Sequence, residues 1–155
     1  AGSSKWVKVD SYNTIDEPFD NLRAQGYQLL PAPLDDNAVA FREIDYTKPT
    51  AIVMGSELHG ISEHAAEKAD QSIVIPMMGL TESLNVSVAT ALILFEAQRQ
   101  RQAAGMYGKS QIDPETYAKT LFEWCYPDIA KHCREKKIPY PELDEEGYLP
   151  AKALG

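Results

Sequence analysis

Residues 72–107, SIVIPMMGLTESLNVSVATALILFEAQRQRQAAGMY, join a short apolar strand to a loop and then to a long apolar helix beginning near residue 84. The helix opens with small and hydroxylated residues, Ser83, Asn85, Ser87 and Thr90, before turning apolar on nearly every side through Phe95. Backbone N–H groups at such a start have no partner within the helix. Short polar side chains can cap them or reach a ligand. On local features alone Ser83 reads as the cap. The apolar run predicts burial against a sheet and against a second surface, a partner subunit among the candidates, while the polar QRQRQ end leaves the core.

Outward from this stretch, strand and helix signals alternate, the pattern of an α/β domain with a largely parallel sheet. WVKVD (6–10) has strand character, and Thr14 with Glu17 forms a capping-box pattern ahead of a helix carrying Ile15, Phe19 and Leu22 until Gly26. YQLL (27–30) and TAIVM (50–54) read as buried strands joined by a polar connection, and a short helix is expected over about 62–69. After Gly105 and Gly108 the character changes. Asp113-Pro114-Glu115 is a helix start, with an aromatic pattern following it, and the Cys125–Cys133 stretch looks helical. KKIPYPELDEEGYLP is too rich in proline and charge for regular structure. The expected division is an α/β domain over 1–108 and a helical extension over 109–155.

A chain of 155 residues can bury roughly 68–70% of its unfolded surface in one core. Its net charge of −8 argues against a broadly basic nucleic-acid binder. The charge is uneven, however. Residues 97–112 carry Arg99, Arg101 and Lys109 without an acid, and 131–137 has four cations to one acid, so contact with RNA at one edge is open, as are plain solvated helix faces. Two cysteines without a partner pattern suggest reduced thiols, no apolar run reaches a membrane span, and no secretory leader is visible, which together give a cytoplasmic expectation.

Several chemistries lack support. GSELHG (55–60) has paired glycines, but Ile61 stands where a triphosphate loop needs lysine, and no dinucleotide fingerprint follows a strand. His59, His64 and His132 have no metal-ligand spacing and read as surface or turn residues. No serine or cysteine has a nucleophile's setting, so neither metal nor covalent catalysis is expected. What remains at 55–60 is a strand ending in a glycine that permits close approach of a ligand, a carboxylate at Glu57, and a second glycine.

Taken jointly, IVMGSELHGIS, SIVIPMMGLTESLNVSVA and FEAQRQRQAAGMY resemble the second and third motifs of the SPOUT RNA methyltransferases of the SpoU/TrmH type. The resemblance implies a Rossmann-like α/β fold with a deep C-terminal trefoil knot that forms an S-adenosylmethionine site. It also implies a homodimer through the third-motif helix, and ribose 2′-O-methylation of tRNA at guanosine 18 of the D-loop. Carried over residue by residue, it places cofactor contacts at Ala32, Gly55, Ile75, Met77 and Leu84, and catalysis or substrate placement at Glu57, Ser83 and Asn85. Ala32 stands where close relatives have threonine, which retains a backbone contact and removes a hydroxyl one. Lys131, Arg134, Lys136 and Lys137 are the expected RNA-facing cations. The first motif, with its arginine for activating the 2′-hydroxyl, has no counterpart ahead of AGSSKW, and Arg99 and Arg101 are poor substitutes. The expectation is therefore an N-terminally truncated enzyme, inactive as it stands. Alternatives are a ribosomal RNA 2′-O-methyltransferase and a non-catalytic RNA-binding module of the same fold.

Overall fold

A computed structural model describes residues 7–33, 37–56, 58–80, 83–108 and 110–150. The chain divides into two units, residues 1–107 and 108–155. In the first, strands β1 (Gln28–Pro31) and β3 (Thr50–Val53) pair in parallel, with Leu29 opposite Ala51 and Pro31 opposite Val53. A second parallel pair joins β2 (Val39–Ala40) to β4 (Ile73–Val74). Helices α1 (Asp16–Ala24), α2 (Glu63–Glu67) and α3 (Val86–Ala103) complete the unit, a mixed α/β arrangement with parallel strands.

Side chains alternate across a strand, so β1 and β3 feed two cores. Leu29, Ala51 and Val53 meet Phe19, Ile15 and Leu22 of the α1 region and Ala65 of α2. Leu30 and Ile52 join Phe41, Tyr46, Ile73 and, from α3, Ile93 and Ala97. Burial on both faces explains why YQLL and TAIVM are continuous apolar runs instead of alternating ones. The turn after α1 is closed by Gly26 at φ +79°, where only glycine sits without strain.

Three expectations are corrected here. Residues 7–10 form no strand, and Val7 and Val9 are exposed, because β-propensity without a partner strand gives no ladder. Helix α3 begins at Val86 with Asn85, not Ser83, as its cap: the Asn85 Oδ1 accepts from the Ser87 N–H at 2.9 Å. Nor does Thr14 cap α1, whose cap position is Ile15 with no side-chain hydrogen bond. In the single chain, Val88, Leu92, Leu94 and Phe95 of α3 are exposed, Phe95 by 72%.

The polar end of α3 does not leave the core either. Gln100 accepts from the Tyr46 N–H at 2.9 Å and donates to the Ile44 carbonyl and to Glu96, both at 2.9 Å. Arg101 donates to the Tyr46 carbonyl at 2.8 Å, and Arg99 makes a two-pronged bond to Glu96 at 2.7 and 2.9 Å. The Arg99 guanidinium and the Gln100 amide hold the buried Glu96 carboxyl down to about 2. Beside it, the Tyr46 phenol is wholly buried and its hydroxyl finds no partner among the described residues. Burial, then the Glu96 charge, pushes it up to about 12.

In the second unit, α4 (Pro114–Cys125) starts as expected: Asp113 accepts from the Thr116 N–H at 2.9 Å and Pro114 fills the first turn. The Cys125–Cys133 stretch is not one helix. Pro127 forces Tyr126 out of helical geometry, so α4 stops and α5 (Pro127–Lys136) begins. Residues 138–150 have no helix or strand, as their composition predicts, yet they are tied down: Tyr140 stacks on Phe122 at 4.7 Å, and the Tyr126 hydroxyl donates to the Gly147 carbonyl at 3.2 Å.

Two outcomes are expected. Tyr46→Phe removes an unsatisfied buried hydroxyl, so chemical denaturation should show no loss of stability and a gain of up to about 1 kcal/mol. The Glu96 carboxyl titrates below its ordinary 4.5, so its network stabilises fully above that pH and fades as pH falls toward 2. With Arg99 68% exposed, solvent screens the ion pair and keeps its share of that stability small. Urea midpoints measured between pH 5 and pH 2.5 should fall less steeply for Glu96→Gln than for the wild type.

Candidate functional site

The C-terminal ends of parallel strands are where open α/β folds bind ligands. Here the pairing of Pro31 with Val53, continued by an Ala32 N–H bond to the Val53 carbonyl at 3.1 Å, brings Ala32 and Pro33 alongside Met54 and Gly55. Ile75 lies just past the end of β4, and Ser83, Leu84 and Asn85 lead into α3. These segments surround one cleft of about 620 Å³. The five positions expected to hold a cofactor, Ala32, Gly55, Ile75, Met77 and Leu84, all line it, as do Ser83 and Asn85. Glu57 lies outside the described residues.

The lining is graded. Ile73 is buried and Ala32, Met54, Ile75, Leu84, Val86 and Ala89 are half-buried, which makes an apolar interior. Ser56, His59, Ser83 and Asn85 are exposed and form a polar rim. Sequence reasoning set His59 aside as a turn residue. The signal for it was available only in three dimensions, because the turn that carries it folds back on the cleft.

The floor at Gly55 is set by a close approach. Beside it the Ser56 and Gly60 backbones exchange hydrogen bonds of 3.1 and 2.9 Å, and the Ser56 hydroxyl accepts from the His59 N–H at 3.1 Å. Gly60 turns the chain at φ +65°. A Cβ at Gly55 would overlap the Gly60 carbonyl carbon and lie 2.6 Å from the Ile61 nitrogen, backbone atoms that cannot swing aside. Gly55 is thus required by the loop packed on it. Met77, Met78 and Leu80 belong to the outer loop, Met78 and Leu80 being fully exposed at 99% and 103%.

The expected RNA-facing cations belong to the second unit, at the end of α5. Arg134 is engaged, donating to Glu123 at 3.2 Å and to the Tyr140 hydroxyl at 3.0 Å, and Lys131 lies 4.0 Å from Glu135. Lys136 ends α5 and Lys137 caps it in the left-handed conformation, φ 54°. Arg99 and Arg101 are both committed to the α3 network. No group of three or more potential metal ligands occurs among the described residues. No described helix is long and apolar enough to cross a membrane.

Gly55→Ala should therefore displace the 56–60 loop. The expected result is a melting temperature lowered by several degrees, with amide NMR shifts concentrated at residues 54–61 and 75–86. Unchanged shifts across the cleft would show that the loop yields at no cost.

Comparison with known proteins accords with this geometry. Residues 1–95 match the SpoU rRNA methylase family and residues 99–152 match the SpoU rRNA methylase C-terminal region. The chain is 51% identical over 155 residues to the tRNA (guanosine(18)-2′-O)-methyltransferase of Escherichia coli K12, covering 99% of this chain and 68% of that protein. It is 50% identical over 123 residues to the Thermus thermophilus protein of the same name, covering 79% of this chain and 63% of the relative. Among solved structures, the Aquifex aeolicus TrmH/SpoU tRNA modifying enzyme superposes with a TM-score of 0.76 at 45% identity, covering 83% of this chain and 65% of that one. AviRb of Streptomyces viridochromogenes, a SpoU methyltransferase solved with its cofactor AdoMet, has a TM-score of 0.52 at 30% identity, covering 58% and 37%. With the family match spanning most of its length and half its residues identical to those of such relatives, the chain belongs to the SpoU/TrmH family of RNA methyltransferases.

Proposed function

We propose that this chain carries the cofactor site of a tRNA guanosine-18 ribose 2′-O-methyltransferase that uses S-adenosylmethionine. The observation that carries the reading is the gathering of Ala32, Gly55, Ile75, Met77 and Leu84, from three separate segments, around one cleft. Half-identity to proteins named for guanosine 18 favours tRNA over ribosomal RNA, and it favours an enzyme over a binding module.

The cleft fits the group in two respects. Its apolar interior suits an adenosine and a sulfonium, and the close backbone approach at Gly55 leaves main-chain groups, not side chains, to meet a ligand there. When bound, S-adenosylmethionine supplies an electrophilic methyl carbon whose sulfur leaves as a neutral thioether. The chain's own task is positioning. An acceptor oxygen must sit in line with that carbon at about 3–3.5 Å and lose its proton. In this reading Ser83 and Asn85, on the rim, hold the ribose or its phosphate, and Glu57 acts within the motif loop. Asn85 serves twice, because its Oδ1 also caps α3 and so fixes the rim to a rigid element.

The finer assignments follow the same line. The segments around 54–60 and 75–85 form the trefoil knot. The domain boundary falls at 108, and the 109–155 extension meets RNA through Lys131, Arg134, Lys136 and Lys137. The exposed apolar face of α3, Val88, Leu92, Leu94 and Phe95, is covered by a second copy in a homodimer. The working compartment is the cytoplasm, where tRNA is modified.

The reading is tested with the full-length gene product. Calorimetry should give one S-adenosylmethionine site per chain, and labelled methyl groups should enter tRNA at guanosine 18 and not ribosomal RNA. Substituting Leu84 by Asp, which puts a charge in the apolar interior, should weaken cofactor binding at least tenfold. Incorporation into ribosomal RNA alone would overturn the tRNA assignment.

A further inference from the structure

Among the described residues that line the cleft, His59 is the one with an ionisable side chain. Every other described lining residue is apolar or neutral. Its ring has no hydrogen bond or ion pair among the described residues, in contrast to His64, whose Nε2 lies 2.8 Å from Asp16. The backbone that carries the ring is itself hydrogen-bonded. Two backbone bonds between Ser56 and Gly60 and the Ser56 hydroxyl on the His59 N–H fix the turn. A polar side chain so held, with its ring uncommitted among the described residues, is placed for something outside the protein.

The gradation of the cleft says what that is. His59 belongs to the exposed rim with Ser56, Ser83 and Asn85, not to the apolar interior, so it meets the ligand that arrives from solvent and not the one enclosed behind it. An imidazole keeps at least one N–H donor whether neutral or charged. A ribose held at the rim by its 2′-oxygen presents phosphate oxygens on both sides.

Resting on the function proposed above, we propose that His59 is a positioning residue for the RNA substrate: its ring N–H donates to a phosphate oxygen flanking the ribose to be methylated. No proton or bond is exchanged at His59. Its contribution is to hold the acceptor against the rim.

The test uses the full-length protein and a tRNA transcript, with tRNA Kd read by filter binding, cofactor Kd by calorimetry, and kcat and KM by methyl incorporation. His59→Ala should raise both the tRNA Kd and the tRNA KM about five- to tenfold while leaving the S-adenosylmethionine Kd within about twofold. His59→Gln, which retains an N–H donor, should recover most of the loss. An unchanged tRNA Kd in the alanine variant overturns the proposal, and so does a loss of cofactor affinity matching the loss for tRNA. Equal damage in both variants assigns the effect to loop shape and overturns it as well. A wild type that binds tRNA but no S-adenosylmethionine would defeat the proposed function, while the comparison of tRNA affinities would still read out His59.

Discussion

The site depends on the register of two short parallel strands. Because Pro31 lies opposite Val53, the chain leaves β1 and β3 side by side, and Ala32 and Gly55 meet at the strand ends. Slipping β1 by one residue against β3 would exchange Leu29 and Leu30 between the two cores. Burial of both faces makes such a slip costly, so the position of the cleft is enforced by core packing, with Ile73 shared between core and cleft.

Onto that frame the structure adds one backbone contact with no slack. Gly60 and Ile61 rest on Gly55 closely enough that a single methyl group has no room. The cleft wall on this side is therefore main chain, and its chemistry is largely independent of side-chain identity. Side-chain polarity at the cleft is confined to its rim, where Ser56, His59, Ser83 and Asn85 are exposed.

Much of this was legible in the sequence. YQLL and TAIVM announced themselves as buried strands because continuous apolar runs report burial on two faces, and Asp113-Pro114 marked a helix start whose hydrogen bond is the one expected. The resemblance carried Ala32, Gly55, Ile75, Met77, Leu84, Ser83 and Asn85 onto this sequence, and the structure brings these seven to one cleft. The misreadings have physical causes. WVKVD has strand propensity, but pairing needs a neighbour that local sequence does not reveal. What covers the apolar turns of α3 stays open in the sequence, because composition cannot say which partner does the burying. Gln100 and Arg101 looked like a solvated end, and only the fold shows that the 44–48 loop comes to them. His59 was dismissed for want of a ligand spacing, a criterion suited to metals and not to a rim.

The clasp between α3 and the 44–48 loop has a bearing on synthesis. Tyr46 bonds to Gln100 and Arg101 across 54 and 55 residues of chain, and Ile44 to Gln100 across 56. A nascent polypeptide therefore emerges from the ribosome with β1 and β3 able to pair while the Tyr46 backbone still waits for its partners. Until the last turns of α3 clear the exit tunnel, Phe41 and Tyr46 have no roof from Ile93. That interval, set by elongation rate and not by the stability of the finished fold, is when these apolar side chains lie open to non-native contacts.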